Sequence, residues 1–577
     1  MELHAEVLIG KTWIRRVPGW RDGFALVLVL AVLILLGTGA RQMVAPLEVS
    51  RPSVISLSPS ALPLYALRTT IRMLAALVAS LLFTFTYATA AGKSRRAEML
   101  LIPLLDVLQS VPVLGYLSFT VLFFVSLFPG TALGAELAAI FAIFTAQAWN
   151  MAFSFYQALR TIPSDLDEAG RGFRLTAWQR FWRIEVPFAM PGLIWNTMMS
   201  MSGGWFFVVA SEAIAVGVIK IALPGIGSYV ALAIQQRNLE AVGWAIAAMA
   251  LTILIYDQLL FRPLVAWADK FRFEQTAAQT VPKSWLLDLF HQTRWVRRVG
   301  ELVGAVLHRV VTARLAFVRG IRLRRSAFSQ RLGDLVWFAG LAVLIVYIGR
   351  ELVRFAAQSL SWSDVVFAAA NGGLTLLRVV ILVILASLIW VPIGVAVGLR
   401  PKLAEKVQPT AQFLAAFPAN LLFPIAVSTI VRFHLAPKIW LTPLMILGTQ
   451  WYILFNVIAG ATAFPSDFRE AAACFRVRGW RWWREVMLPG IFPYYVTGAI
   501  TASGGSWNAS IVSEAVNWGP TRLSGAGLGA YIAQMTEAGD YPRIALGVAV
   551  MSVMVVVMNR LLWRPLYAFA ERRTRLD

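Results

Sequence analysis

Long apolar runs recur along the chain, and short polar segments rich in lysine and arginine separate them. The run FALVLVLAVLILLG at 24–37 is typical of a membrane-spanning helix, which needs roughly 20 mostly apolar residues. The pattern predicts twelve spans, the first retained rather than cleaved as a signal peptide. Pro112 and Pro418 interrupt the third and the ninth. The predicted centres fall near residues 31, 80, 120, 143, 200, 250, 343, 383, 422, 449, 500 and 552.

The basic segments predict the orientation of the chain, because lysine and arginine collect on the cytoplasmic side of membrane proteins. Twelve crossings with a cytoplasmic N-terminus place every basic segment on that side. Both termini are therefore predicted to be cytoplasmic. The basic segments lie at 11–16, 92–96, 168–183, 270–331, 400–406, 469–484 and 571–575.

The composition agrees with a polytopic helical membrane protein. The 577 residues are 58% hydrophobic with a mean hydropathy of +0.68, whereas soluble proteins are about 45–50% apolar. The net charge of +22 is explained by the cytoplasmic segments, so we expect no nucleic-acid binding. Cys474 is the one cysteine of the sequence, which excludes an intrachain disulfide.

The second half of the sequence repeats the first. Adding 302 to a residue number in the first half gives its match in the second, and no gap is needed from Trp149 to about Lys270. The chain is therefore an internal duplication. The matches include Trp149 with Trp451, Pro187 with Pro489, Ser-Glu-Ala at 211–213 with 513–515, Gly225 and Gly227 with Gly527 and Gly529, and Arg-Pro-Leu at 262–264 with 564–566.

Each copy holds six predicted spans, and an even number returns the chain to the side on which it started. The copies are therefore parallel and should be related by a pseudo-twofold axis along the membrane normal, with a pathway at their interface. We predict an all-α membrane protein with a first repeat at 1–269, a basic cytoplasmic linker at 270–331 and a second repeat at 332–577.

One segment of each copy interrupts the apolar pattern with charged and aromatic residues. These segments are EAGRGFRLTAWQRFWRIEVP at 168–187 and EAAACFRVRGWRWWREVMLP at 470–489. Each begins with Glu-Ala, ends with a hydrophobic residue and proline, and stands before the last two spans of its copy. Here the chain resembles the permease subunits of bacterial ABC importers of the type I fold, whose mark is this EAA loop.

The resemblance implies a function and a set of partners. Such permeases pass a small solute across the bacterial inner membrane and dimerise around one pathway. They bind two ABC ATPase subunits and an external substrate-binding protein, and no cofactor is implied. This chain looks like two fused copies, so a single chain replaces the dimer. The pattern of Trp, Ser-Glu-Ala and Gly-x-Gly is similar to the nitrate, sulfonate, taurine and bicarbonate branch, which implies a small anion as the substrate.

The resemblance also assigns the ATPase-coupling residues to the start of each EAA loop. One position departs from the family, since its glycine six residues after the glutamate is Arg174 here and Arg476 in the second copy. We expect the turn between the two short helices of the loop to differ accordingly. The coupling residues are Glu168, Ala169, Gly170, Phe173 and Arg174 in the first loop, and Glu470, Ala471, Ala472, Phe475 and Arg476 in the second.

The chemistry of the loops suits a docking surface. Apolar and aromatic side chains anchor a short helix in a groove of its partner, and a charged rim sets its orientation. Phe173, Trp178 and Phe181 are spaced to share one side, and Pro187 suits the start of the next helix. The alternative is an amphipathic helix that lies on lipid, but lipid binding does not require the same Glu-Ala spacing twice.

Two glutamates in the apolar spans are candidate pathway residues, because charges at membrane depth are costly and often mark a pathway. Glu212 and Glu514 are predicted near the outer end of the fifth span of each copy, facing one another across the pathway. Trp205 and Trp507 precede them by two helical turns on the same face. The alternative is a pair of structural carboxylates bonded to backbone or to the adjacent Ser211 and Ser513. Weaker candidates are Asp106, Gln109, Gln147, Asn150, Gln450 and Asn508.

Other classes of function fit the sequence less well. GKT at 10–12 and GKS at 92–94 lack the earlier glycine of a phosphate loop, so ATP hydrolysis is expected on a separate subunit and this chain is not an enzyme. A secondary transporter can also be built from parallel repeats, but it requires ion-coupling acids or broken helices, of which the sequence shows few. Neither a metal-ligand cluster nor a catalytic constellation is visible in the sequence.

The linker carries 13 lysines and arginines against three acids. From Trp295 to Val310 its apolar residues recur every three or four positions with arginines between them, which predicts an amphipathic helix. We predict that this helix lies on the inner membrane surface with its arginines on anionic headgroups. The alternative is a contact with the ATPase.

Overall fold

The computed structural model describes residues 23–24, 27, 29–31, 37, 55–216, 219–271, 284–312 and 327–574. The predicted first span lies largely outside these residues. In the first copy the described α-helices are Leu62–Lys93, Arg95–Ser110, Val113–Leu127, Ala132–Arg160, Ser164–Gly172, Ala177–Arg180, Val186–Glu212, Ile226–Gln235, Leu239–Tyr256 and Arg262–Ala268.

The linker and the second copy are also helical. The linker contributes Trp285–Gln292 and Arg294–Thr312, and the second of these helices covers the segment in which a helix is predicted. The helices of the second copy are Ala327–Ser359, Trp362–Gly398, Pro401–Ala416, Phe423–Arg432, Pro437–Trp440, Trp451–Thr462, Ser466–Cys474, Gly479–Trp482, Leu488–Ser513, Leu528–Ala538, Tyr541–Met558 and Arg564–Thr574.

The duplication is visible in the secondary structure. The π-helical turns Phe181–Glu185 and Asp257–Phe261 return 302 residues later as Trp483–Met487 and Asn559–Trp563. Further toward the N-terminus the spacing becomes 306, since Arg95–Ser110 corresponds to Pro401–Ala416. The duplication therefore extends further toward the N-terminus than the sequence match.

The all-α class needs one small correction, because each copy also contains a short antiparallel β-hairpin. Ala213–Val216 pairs with Ile219–Ala222, and Ala515–Trp518 pairs with Thr521–Ser524. Both hairpins directly follow the long helix that ends near the predicted pathway glutamate. The alternation of small and apolar residues over four positions is too short for the sequence to indicate a strand.

Within the described residues, six helices are long and apolar enough to cross a membrane. A seventh candidate is the pair Lys402–Ala416 and Ala419–Arg432, which is bent by 78°. The chain is therefore a multi-pass membrane protein, while the count of twelve spans stays a prediction. The six helices are Pro59–Lys93, Ala132–Arg160, Leu239–Ala268, Val336–Ser359, Trp362–Gly398 and Tyr541–Phe569.

The break predicted at Pro418 in the ninth span is found, and the first copy has its equivalent between Arg95–Ser110 and Val113–Leu127. The span centre predicted near 449 does not fall on a helix, because residue 449 lies in a turn that precedes Trp451–Thr462. In the first copy the region equivalent to 434–462 is one helix, Ala132–Arg160. Pro437 and Pro443 stand 302 positions after Ala135 and Phe141. Proline lacks the N–H and clashes with the preceding turn, which explains why this region is broken in the second copy only.

The chain divides into two compact units. The smaller contains the described parts of 162–191 and 256–319, and thus the first EAA loop and the linker helices. The larger contains most of the remaining helices of both copies, and its apolar core draws on both. The backbone N–H of Val113 in the first copy donates to Asn508 Oδ1 in the second at 2.8 Å. The predicted domain boundaries stay a prediction.

Candidate functional site

The first helix of each EAA loop ends in a left-handed turn. Arg174 has φ = 51° and Arg476 has φ = 52°. In the first loop the N–H of Leu175 bonds to the carbonyl of Gly170 and that of Arg174 to Arg171, at 3.1 and 2.9 Å. This is the Schellman pattern, in which glycine is the usual residue at the left-handed position. The expected difference in the turn is therefore not found, since both arginines take the conformation that favours glycine.

The residues of the two loops share one pattern of exposure. Phe173 and Phe475 are 80% and 83% exposed. Both glutamates and the alanines after them are exposed, and no ion pair to another described residue involves Glu168 or Glu470. Apolar rings of this size are normally buried in a monomer, so their exposure at matched positions indicates an interaction surface.

The next residue of each loop faces inward. Gly170 and Ala472 are buried, and a Cβ added to Gly170 would lie 2.8 Å from Ile184 Cδ1. Small residues are therefore required here, because the short helix packs against the segment that follows it. Each loop continues through its π-helical turn into a long helix, Val186–Glu212 or Leu488–Ser513. Pro187 and Pro489 lie in the first turn of these helices, as predicted for the first.

The first loop is braced by side chains that the second lacks. Asp167 accepts from Arg171 at 2.5 Å and from Arg180 at 3.0 Å, and Thr176 and Gln179 form a capping box. Within the smaller unit, Gln179 also donates to the carbonyl of Thr312, at the end of the described linker helix, at 2.9 Å.

Glu212 lies in a buried cluster at the end of its long helix. Its carboxylate accepts from Arg72 at 2.6 Å, from Thr69 at 2.7 Å and from the N–H of Gly227 at 2.7 Å. Arg72 also binds both oxygens of Glu136, at 2.5 and 2.7 Å. We call Thr69, Arg72, Glu136 and Glu212 the first carboxylate cluster. Buried charges are stable when they are paired and hydrogen-bonded in this way.

The second copy contains a reduced version of this arrangement. Glu514 accepts from Arg378 at 3.1 Å, from Thr375 at 3.0 Å and from the N–H of Ala530 at 3.1 Å. We call Thr375, Arg378 and Glu514 the second carboxylate cluster. Where the first copy has Glu136, the position 302 residues later is Lys438, whose carbonyl accepts from Arg378 at 3.1 Å. The second cluster thus has one acid where the first has two.

The two clusters explain the repeated Gly-x-Gly motif. A Cβ on Gly225 would overlap the carboxylate of Glu212, and a Cβ on Gly227 would overlap the carbonyl of Val209. Gly527 likewise meets the carboxylate of Glu514, and Gly529 meets the carbonyl of Ser510, one position before the equivalent of Val209. The motif lets the loop after the hairpin lie directly against the end of the long helix, where the glutamate holds it.

The geometry favours the structural alternative for the two glutamates. Both are buried, each is bonded within its own copy, and neither lines the large cavity described below. Each carboxylate accepts from a backbone N–H, as that alternative expects, and also from a threonine and an arginine rather than from Ser211 or Ser513. Thr69-x-x-Arg72 and Thr375-x-x-Arg378 are 306 residues apart. A comparison of the two copies at the spacing of 302 alone does not find this match. A pathway role for the two glutamates stays a prediction.

A cavity of about 340 Å³ lies between helices of the two copies in the larger unit. Gln109, Asn150 and Asn508, three of the weaker candidates, line it. Trp507 lines it as well, whereas Trp205, which is equally buried, does not. Among its described lining residues there is no lysine, arginine, histidine or carboxylate. Of the other candidates, Gln147 and Gln450 bond to Met73 and Trp390, and the side chain of Asp106 lies outside the described residues.

The repeated architecture agrees with a comparison against known families. The family described as binding-protein-dependent transport system inner membrane component matches the chain twice, at residues 83–262 and at 389–575. The chain belongs to this family. Both matches fall within the predicted repeats and leave the linker between them unmatched.

Curated relatives in this family carry transport names. The chain is 28% identical over 177 residues to the bicarbonate transport system permease protein CmpB of Synechococcus elongatus, a match covering 30% of this chain and 60% of the relative. It is 23% identical over 187 residues to the nitrate import permease protein NrtB of Leptolyngbya laminosa, covering 32% and 63%. For the taurine transport system permease protein TauC of Escherichia coli the identity is 26% over 199 residues, covering 34% and 67%. The chain thus spans less than two thirds of the first two relatives.

Proposed function

We propose that this chain is the complete membrane pathway of an ATP-driven importer for a small anion. The observation that carries the proposal is a surface that the two EAA loops share. Each loop presents a glutamate that has no ion pair among the described residues, and a phenylalanine that is more than three quarters exposed. One ABC ATPase subunit docks on each loop, so one chain with two ATPases replaces a permease dimer. The names of the bicarbonate, nitrate and taurine relatives support an anionic substrate, and the family description supports the bacterial inner membrane. The basic segments support cytoplasmic termini.

The structure supplies a physical route for coupling. Phe173 and Phe475 provide apolar anchors, and the exposed glutamates give orientation. The buried small residue behind each anchor packs the short helix against the segment after it, and that segment runs into a long helix. Movement of the ATPase is thereby passed along this segment to a membrane helix. An external binding protein delivers the substrate on the opposite side.

The native Cys474 allows a direct test of the docking surface. It is exposed at the end of the second loop's first helix. Gly172 is its equivalent in the first loop, so a Gly172→Cys, Cys474→Ser variant places the single thiol there. We expect maleimide to label either thiol in the chain alone, in lipid nanodiscs, and labelling to be blocked at both when the ABC ATPase encoded beside the chain is bound. A thiol at the exposed Gln236, with Cys474→Ser, serves as the control and stays reactive.

The coupling residues are tested in the same complex. Phe173→Ala with Phe475→Ala should reduce ATPase binding and ATP-dependent uptake together, while the thermal unfolding temperature is unchanged because neither ring is buried. Normal uptake by this variant, or reactive thiols in a complex that contains the ATPase, contradicts the docking assignment. Uptake that follows a proton or sodium gradient in the absence of ATP favours the secondary transporter instead.

A further inference from the structure

We propose that the cavity between the two copies selects a small organic anion by its two different ends, a hydrogen-bonding head and an apolar body. This inference rests on the proposed function and names the residues that select the substrate of its pathway. Three pairs of equivalent lining positions carry it, because in each pair one residue is an amide and the other is apolar or aromatic.

All six residues line the cavity at positions that the duplication makes equivalent. Gln109 matches Ala415 at the spacing of 306, while Asn150 matches Tyr452 and Asn508 matches Phe206 at 302. We call the three amides the amide face and the other three residues the aromatic face. Both amides of the first copy are exposed, and Asn508, Phe206 and Tyr452 are half-buried, so that a ligand in the cavity can reach them.

The two faces lie beside different breaks in the membrane helices. On the amide face, Asn508 Oδ1 accepts from the N–H of Val113 at 2.8 Å, directly after the break that follows Gln109. Near the aromatic face, the side chain of Asn420 donates to the carbonyl of Phe206 at 3.1 Å, directly after the equivalent break in the second copy. Each face therefore joins the long helix of one copy to the break of the other.

The amide face can bind an oxyanion without a charged residue. Gln109 Nε2 donates to Asn150 Oδ1 at 3.1 Å, and Nδ2 of Asn150 has no acceptor among the described residues. The aromatic face offers rings and a methyl group, and apolar surface that leaves water there contributes about 25 cal/mol per Å². Nitrate and bicarbonate have no apolar part, so they would leave the aromatic face without a contact.

Two further lining pairs differ in polarity, Ser202 with Gly504 and Thr501 with Met199. Both hydroxyls donate to a carbonyl of their own helix, at 3.2 and 3.0 Å, so they offer a ligand no free donor. The difference between the two sides of the cavity thus comes from the amides. A dimer of identical chains repeats every residue on both sides of its axis. The duplication within one chain removes this constraint, and the cavity can bind the two ends of a solute differently.

The experiment uses the full chain in lipid nanodiscs without the ATPase, and para-fluorobenzoate as the probe at neutral pH, where its carboxylate is charged. We expect the fluorine NMR signal of the probe to broaden saturably with the chain, and unlabelled benzoate to reverse the broadening. Nitrate, which is a head without a body, and succinate, which has a head at each end, should not reverse it at the same concentration. Absence of saturable broadening, or reversal by nitrate or succinate as effective as that by benzoate, overturns the proposal.

Variants of each face sharpen the outcome. Asn150→Leu should weaken binding of the probe by about tenfold or more, the order expected for losing one hydrogen bond to a charged group. Phe206→Asn gives the aromatic face the residue of its equivalent, so it should weaken the probe and make succinate an effective competitor. The control is Asn371→Leu, outside the lining, where the amide donates to the carbonyl of Phe367 in its own helix.

The comparison does not depend on one variant. If Phe206→Asn does not fold, the exposed Asn150 still tests the amide face, and equal weakening by Asn150→Leu and Asn371→Leu contradicts the proposal. Unchanged competition by succinate in a folded Phe206→Asn variant contradicts it as well. Because no ATPase is present, a negative result leaves the docking assignment standing, and failed thiol protection would leave binding of the probe untouched.

Discussion

Arg72 holds the first carboxylate cluster together, and removing its charge tests how the loop after Glu212 is attached. The side chain is fully buried and bonds Glu136 through two nitrogens and Glu212 through the third. Arg72→Met retains most of the length and removes the cation. It leaves the carboxylates of Glu136 and Glu212 buried without the cation that binds both.

The structure allows an estimate of the loss in free energy of unfolding. Breaking a buried ion pair by removing one partner costs about 3–5 kcal/mol, and here two acids lose their cation, so we expect about 5 kcal/mol. The matched variant is Arg378→Met in the second copy. The Arg378 side chain is 16% exposed and pairs with one acid, so its removal should cost about 3 kcal/mol or less.

The assay is denaturant unfolding of the purified chain in mixed micelles, followed by circular dichroism. A third variant combines Arg72→Met with Glu136→Gln and Glu212→Gln, which removes the uncompensated charges and should recover more than half of the loss. The reasoning is refuted if Arg72→Met is no more destabilising than Arg378→Met. It is equally refuted if neutralising both acids recovers nothing.

Three further outcomes are expected. Arg174→Gly and Arg476→Gly should each raise the free energy of unfolding by about 1 kcal/mol, because both positions are left-handed. Arg171→Gly, inside the helix, should lower it by about as much, and equal effects of the three variants would contradict this reasoning. Gly227→Ala and Gly529→Ala should each lower the free energy of unfolding by about 1–3 kcal/mol, because the added methyl group meets a backbone carbonyl. Gly243→Ala has open space around the added methyl group and should cause no such loss, and thermal unfolding of the three variants measures the difference. Hydrogen exchange at 294–312 in anionic nanodiscs should show protection without the ATPase, and protection only in its presence would reject the membrane-surface prediction.

The sequence was sufficient for the broad architecture because that depends on composition and periodicity. Apolar runs predicted the membrane helices, and the spacing of 302 predicted that the two copies match, including their EAA loops, before any contact was known. The errors lie where backbone geometry decides. The break at Pro418 was predicted, but the centre at 449 fell on a turn because an apolar segment looks the same whether it is straight or bent, and only the prolines indicate the difference.

The candidate site was predicted less completely, since its polar residues meet across long distances in sequence. Glu212 was found because a glutamate in an apolar run is conspicuous, but its partner Arg72 is 140 residues away. Nothing local indicates that pairing. The cavity was found only in part, through Gln109, Asn150, Asn508 and Trp507. Its other lining residues are mostly small, apolar or aromatic and do not stand out in a membrane protein.

The two EAA loops differ in a way that bears on their role. Residues that face outward are matched between the copies: the exposed glutamate, the exposed phenylalanine and the left-handed arginine. Residues that brace the loop internally are not, because Asp167 corresponds to Arg469 and the capping box of Thr176 and Gln179 corresponds to Arg478 and Arg481. A loop that served only its own fold would be expected to retain its bracing and to vary at its surface. Retention of the surface instead fits two copies of one partner, each meeting the same exposed face on a different half of the chain.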